Sequence, residues 1–436
     1  MFDAVKEANK LIDSQIFTEV AAFCGCDLTL FDNTQTTGTS ALSSEMKTYY
    51  SDYMIDNAVP NLVHDQFGQK QPIPKNKGKV VEFRKYAPLP KALTPLTEGV
   101  TPSGRSLSMS VITATVSQYG DYIELSDMLL LTAIDNNMVQ ATKLLGNQAG
   151  ETLDTVTREV INAGTNVQYA DAQVAARYLL VGGDSTAVNN HYFSVNCVRR
   201  GVRNVKVNKA QRINGYFVGI VHPDTVYDIM GDDDWVEASK YAGSTQLFEG
   251  EIGKIHGVRF VETTEAKVFH AADLKAGTGA SRTLTVASYN AKVITIDEAL
   301  SAAQATALAG RKIIVDGYQY TVASAAEGAA GAATITITET PTHAPADNDK
   351  VYPGEAGAEG RDVYSTLLLG DNAYGVTEIS GGGLEHIVKQ LGSAGTADPL
   401  DQRATVGWKA TKVAEMLVQE YMVRIETAST FQVGAN

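Results

Sequence analysis

Apolar positions recur along this chain with two different periods, and the switches between them divide it into elements. Between 137 and 163, Leu145, Ala149, Leu153, Val156 and Val160 recur every three or four residues, with Glu151, Asp154 and Arg158 off that stripe. This predicts an amphipathic helix, stopped by Gly164 and roughly 35–40 Å long at 1.5 Å per residue. A second helix over 195–210 places Val195, Val198, Val202 and Val205 on one face and crowds Arg199, Arg200, Arg203, Lys206, Lys209 and Arg212 around the rest. Period two governs 79–86 and 108–118, the latter alternating Val111, Thr113 and Thr115 against Ile112, Ala114 and Val116. Residues 216–221 read as a buried strand. His222-Pro223-Asp224 then turns the chain into a short helix, with Asp224 expected as its cap and Pro223 near its first turn. Strands at 405–409 and 421–428 close the pattern.

Turn-forming residues refine this division. Six of the twelve prolines lie between Pro72 and Pro102, flanking the two strand-like runs. Proline removes a ladder donor and belongs at the edges and tips of sheets, so the segment reads as a long hairpin whose stiff, mostly polar tip spans 88–104. A lone two-stranded ribbon is marginal in water, and something else must hold it. Residues 271–354 shift in composition, with 21 alanines among 84 positions. There the strands 312–315 and 318–322 flank an Asp316-Gly317 turn, a strong hairpin signal, and 334–338 alternates like a strand. A small β-rich inserted domain is expected. Residues 1–75 read as an arm, with a polar loop at 33–44 and a helix at 44–58.

Charge is distributed unevenly. The 436 residues are 44% hydrophobic and 20% charged with net charge −14 and a pI near 5.0, a globular composition with length for about three domains. The acidic balance argues against a dedicated nucleic-acid binder. Nevertheless the first sixty residues carry −6, while residues 70–91 carry +6 through Lys70, Lys75, Lys77, Lys79, Arg84, Lys85 and Lys91 against Glu82. Arm and hairpin either pair, within one subunit or across two, or form two solvated surfaces of opposite sign. No acid falls between Ser185 and Pro223; the basic helix there either touches nucleic acid or a neighbour, or is a charged face met by carboxylates from elsewhere. The first residues have acids where a secretory leader needs bases, and the apolar run 128–134 is too short for a membrane span. Cys24, Cys26 and Cys197 make no disulfide framework and point to a reducing compartment.

Candidate chemistry is sparse. There is no phosphate loop, zinc-protease helix pair, nucleophile elbow or dinucleotide fingerprint. Cys24-Gly25-Cys26 has no second cysteine pair to complete a zinc site, so buried thiols are expected. Asp232-Asp233-Asp234 with Asp228 could hold a hard cation, but a solvated acidic loop is the safer reading. The seven scattered histidines suggest no triad, although triads assemble in space. An arm, an unsupported ribbon, a long helix and an insertion together describe a subunit whose stability depends on assembly.

Specific blocks then match a known family. Pro95-Leu96-Thr97-Glu98-Gly99-Val100-Thr101-Pro102, followed by the 111–116 strand and Gln118-Tyr119-Gly120, resembles the signature of tailed-phage major capsid proteins of the coliphage N-four type. Further matches are Gly164 through Ala170, Val221-His222-Pro223, Gly250 through Gly253, Gly257 through Val261, Asp398 through Gln402, Val406 through Lys409 and Arg424-Ile425-Glu426, in family order. The resemblance implies an α+β Hong Kong 97-type capsid fold. On it, residues 1–75 are the N-terminal arm and 76–118 the extended loop. Residues 119–215 are a peripheral domain with its spine helix, 216–270 and 355–400 the two parts of an axial domain, and 401–436 the returning peripheral strands. Residues 271–354 interrupt these blocks as the inserted domain.

The implied function is structural, without catalysis or cofactor. Copies assemble through hexamers and pentamers into an icosahedral-type shell around double-stranded DNA, in the virion and, during assembly, in host cytoplasm. Implied partners are other copies, the packaged DNA, a portal, and scaffold and decoration proteins, with no membrane. Arg84, Lys85, Leu96, Glu98, Pro102 and Trp408 are the expected assembly contacts. Arg199, Arg200, Arg203 and Lys206 are the expected interior basic face. An encapsulin-like compartment on the same fold and a soluble enzyme are the rival readings.

Overall fold

A computed structural model of the chain describes residues 63–72, 79–86, 89–96, 98–101, 104–132, 137–171, 174–182, 191–241, 253–377, 384–389, 391–392 and 400–431. The expected arm helix and polar loop, and the Cys24-Gly25-Cys26 pair, lie outside the described residues.

The main core is built on one mixed sheet. Its strands run in the order Val167–Tyr169, Met422–Thr427, Val363–Leu369, Phe217–Val221, Val258–Glu262, Lys254–Ile255, and Val268–Phe269 pairs with the start of Val363–Leu369. The three central strands are buried at every position, as expected where both faces of a sheet are covered. Phe217 and Val221 face one cluster, which includes Val198, Val202 and Val205 of the helix Val195–Val207. Val218 and Ile220 point the opposite way, toward Ile161 and Tyr374. Gly201 lets the Val195–Val207 helix lie close to the sheet, because a Cβ there would stand 2.9 Å from Ile425 Cδ1.

The long helix spans Asn137–Asn162. Its Leu145, Ala149 and Leu153 pack on Val406, Trp408 and Ala410 of a three-stranded antiparallel sheet, Leu384–Lys389, Arg403–Lys412, Ser117–Ser126. Asp154 and Arg158, expected on its solvent side, are buried instead. Arg158 is met by Glu265, whose backbone oxygen accepts from Nη1 at 2.9 Å, and Asp154 by the segment holding His64 and Asp65, which lies against the helix's polar side. His64 N–H donates to Asp154 Oδ1 at 2.9 Å, and Thr157 Oγ1 donates to Asp65 Oδ1 at 2.6 Å. Lys412 Nζ, also buried, donates to Asp65 Oδ2. Burial pushes the Lys412 amine below its ordinary value, and the Asp65 carboxylate opposes that shift.

Two further expectations are corrected. The extended run 108–118 serves two sheets: Met109–Thr115 pairs with Val80–Tyr86, while Ser117–Ser126 pairs with Arg403–Lys412. Val116 is the break, its N–H closing the ribbon on Lys79 O at 2.8 Å. The helix Pro223–Met230 is capped by His222, not Asp224; the His222 ring accepts the Asp224 N–H at 3.2 Å, with Pro223 in the first turn. Proline fits there because that N–H has no helical partner to lose.

The expected insertion is a closed six-stranded barrel. Leu284–Asn290, Val293–Ile296, Ala333–Ile337, Tyr318–Ala326, Lys312–Val315 and Lys350–Pro353 close in that order. Asp316 and Gly317 both have positive φ, 50° and 76°, the requirement of a tight hairpin turn whose twist matches its strands. Val286, Ile294, Ile313, Val322 and Ile335 fill a core of its own, completed by Leu308 from the helix Ala302–Leu308.

Candidate assembly surface

The ribbon Val80–Tyr86/Met109–Thr115 behaves differently at its two ends. At its base Val81, Phe83 and Ala114 are buried and pack with Val413 and Leu417 of the same chain. Phe83 lies so close over Gly375 that any Cβ at that glycine would run into its ring. The missing support for the ribbon is therefore supplied, at this end, by its own subunit.

The tip has no such support. Leu89, Leu93, Leu96, Val100 and Leu107 are between 60% and 82% exposed. The tip expected to be mostly polar is largely apolar: among its described residues the charges are Lys91 and Glu98. Each of these side chains would gain about 1.5–3 kcal/mol on complete burial, so the tip carries apolar surface that its own subunit leaves in water. Glu98 is exposed beside Gly99, whose φ of +79° turns the chain.

The other expected contact residues separate. Arg84 is exposed and Lys85 half-buried, and both line a groove of about 360 Å3 between the ribbon and Gln211, Asp371, Asn372 and Tyr421 of the body. Pro102 lies outside the described residues. Trp408 is corrected to a core position: it is 6% exposed, packs on the long helix, and donates from Nε1 to Gln148 Oε1 at 3.2 Å. A large aromatic on the inward side of a strand covered by a helix has little surface left for another chain.

Arg199, Arg200, Arg203 and Lys206 all stand exposed on the helix Val195–Val207, opposite its buried valines. Carboxylates from elsewhere do not meet them: among the described residues their one side-chain bond is Arg199 Nη2 to Asn196 Oδ1, 3.0 Å, and no ion pair involves them.

The acidic run has a structural use. Asp232 accepts the N–H groups of Val195, at 2.9 Å, and Asp234, at 2.9 Å. Asp228 accepts Thr430 Oγ1, and burial raises its carboxyl above the usual range against that bond. Among the described residues no group of three or more His, Cys, Asp or Glu side chains is placed to hold a metal ion, and no helix is long and apolar enough to cross a membrane. Cys197 is a buried thiol, pushed up by desolvation.

Sequence reasoning named Leu96 but missed the other exposed leucines and the His64–Asp65 clamp. The leucines carried a readable signal, apolar residues set between prolines where no helix or strand could bury them. The clamp carried none, because its partners are 90 and 347 positions apart.

Residues 136–328 match the model of the family described as phage capsid protein, a segment running from the long helix into the barrel. The capsid of the cyanophage P-SCSP1u aligns over 92% of this chain and 94% of that one at 10% identity, with a TM-score of 0.50. The cyanophage Pam1 capsid aligns over 93% and 99% at 12% identity, with a TM-score of 0.51. No curated protein matches the chain. The matched family and these neighbours are capsid structural proteins, not enzymes, and the chain shares with them a mixed α+β fold of the phage-capsid kind.

Proposed function

We propose that this chain is the major structural subunit of a bacteriophage head, of the coliphage N-four type. It assembles through hexamers and pentamers into a closed shell enclosing double-stranded DNA, with a portal and with scaffold and decoration proteins as further partners. Residues 1–75 act as the arm, 76–118 as the extended loop, 119–215 and 401–436 as the peripheral domain, 216–270 and 355–400 as the axial domain, and 271–354 as an add-on. The observation that carries this reading is the ribbon: anchored at its base by Phe83 and apolar but exposed at its tip. Such a lever contributes little to its own subunit and gains by burial against another copy. A single sequence can occupy hexamers and pentamers when such long contacts bend and the compact core does not.

The test is electron microscopy and sedimentation of the chain expressed in a bacterial host. Shells or capsomers support the reading; a stable monomer overturns it. Shells that hold a cargo enzyme and no nucleic acid would establish the compartment reading in its place.

A further inference from the structure

We propose that the exposed face of the helix Val195–Val207 is a strip that docks the phosphate backbone of duplex DNA without regard to sequence, through Arg199, Arg200, Arg203 and Lys206. The inference rests on the head-shell reading and adds a site to it. Arg199, Arg203 and Lys206 stand at i, i+4 and i+7, one line along the helix, with Arg200 beside them. At 1.5 Å per residue the line is about 10 Å long, and a DNA strand advances about 3.4 Å per phosphate along its axis. One face thus spans roughly three phosphates of a strand.

The strip is rigid and unspent. Val195, Val198, Val202 and Val205 fix the helix to the sheet, and Gly201 seats it against Ile425. Nearby cations have employment within the chain: the Arg212 guanidinium lies 5.7 Å over the Phe217 ring and Lys254 Nζ 4.4 Å over the Tyr216 ring. Of the four strip residues, Arg199 alone has a side-chain bond among the described residues, and its partner is the neutral Asn196. Two acids sit at the helix N-terminus, where Asp232 takes the Val195 N–H and Asp171 meets Asn196 at 3.5 Å. There they offset the positive end of the helix dipole and leave the remaining turns cationic. In a chain of net charge −14, four neighbouring cations that form no ion pair among the described residues call for a polyanion from outside. Three of the four are arginines, whose planar fork matches phosphate oxygens two at a time. Contacts to phosphate alone position DNA and carry no sequence information.

The test uses the full chain, with random-sequence duplex DNA as probe and salt as the variable. The quadruple variant Arg199→Gln, Arg200→Gln, Arg203→Gln, Lys206→Gln is compared with wild type and with an Arg→Lys variant at the three arginines. Each phosphate contact contributes about 0.9 to the slope of log affinity against log salt. The quadruple variant should therefore lose about 3 from that slope while its circular dichroism and its shells stay normal, and the lysine variant should keep the slope. An unchanged slope in the quadruple variant overturns the proposal. So does a variant that keeps its DNA affinity but no longer forms shells, since the face would then meet another protein. Failure of wild type to form shells would overturn the head-shell reading, and the slope judges the strip separately.

Discussion

His64 and Asp154 are bonded twice: the His64 backbone N–H donates to Oδ1 at 2.9 Å, and Nδ1 lies 2.6 Å from Oδ2, with both side chains sealed from water. Next to them Asp65 binds Thr157 and Lys412. Two consecutive residues near the start of the described chain thereby tie the long helix to a strand near its end.

Asp65→Ala leaves the Lys412 ammonium buried without its carboxylate. Removing one member of a buried pair costs about 3–5 kcal/mol, whereas apolar replacement of both is often close to neutral. Denaturant midpoints should therefore fall sharply for Asp65→Ala and much less for Asp65→Leu with Lys412→Met. Equal losses in the two would show that the pair is not a charge problem but a packing one.

The two ends of the ribbon should respond oppositely to mutation. Leu93→Ser with Leu96→Ser, and separately Glu98→Lys, should leave thermal unfolding within a degree or two of wild type, as exposed substitutions usually do, and abolish shells in electron micrographs. Phe83→Ala should cost about 3 kcal/mol or more and open the ribbon to protease. Normal shells from the tip variants would show that the tip does not meet another copy.

His222 predicts a pH dependence. Burial lowers its pKa below the ordinary value, with Asp224 opposing, and its unprotonated ring nitrogen caps the helix Pro223–Met230. The folded value lies below the unfolded one, near 6.5. Its contribution is thus complete above about pH 6.5 and is lost as pH falls through the folded value. Asparagine caps a helix without titrating. The melting temperature of His222→Asn should accordingly fall less than that of wild type between pH 7 and pH 5. Parallel curves would remove His222 as the cause.

The barrel should be separable. It has its own closed hydrogen-bonded ladder and its own core. Replacing 284–353 by a short Gly/Ser linker should preserve the circular dichroism expected for the remaining elements, as well as shell formation. Collapse of subunit folding would make the barrel integral to the body.

Local pattern and tertiary placement divide the rest. The helix expected over 137–163 is Asn137–Asn162, the hairpin 312–322 appears with its Asp316-Gly317 turn, and the valine face of the basic helix is buried. Periodicity, turn chemistry and charge runs are properties of neighbours in sequence, and the amino-acid order alone determined them. It could not show that Asp154 and Arg158 would be buried, that one extended run would split at Val116 between two sheets, or that Trp408 would belong to the core. Each of those depends on which distant segment arrives at a given face, and a side chain's energy is set by what covers it.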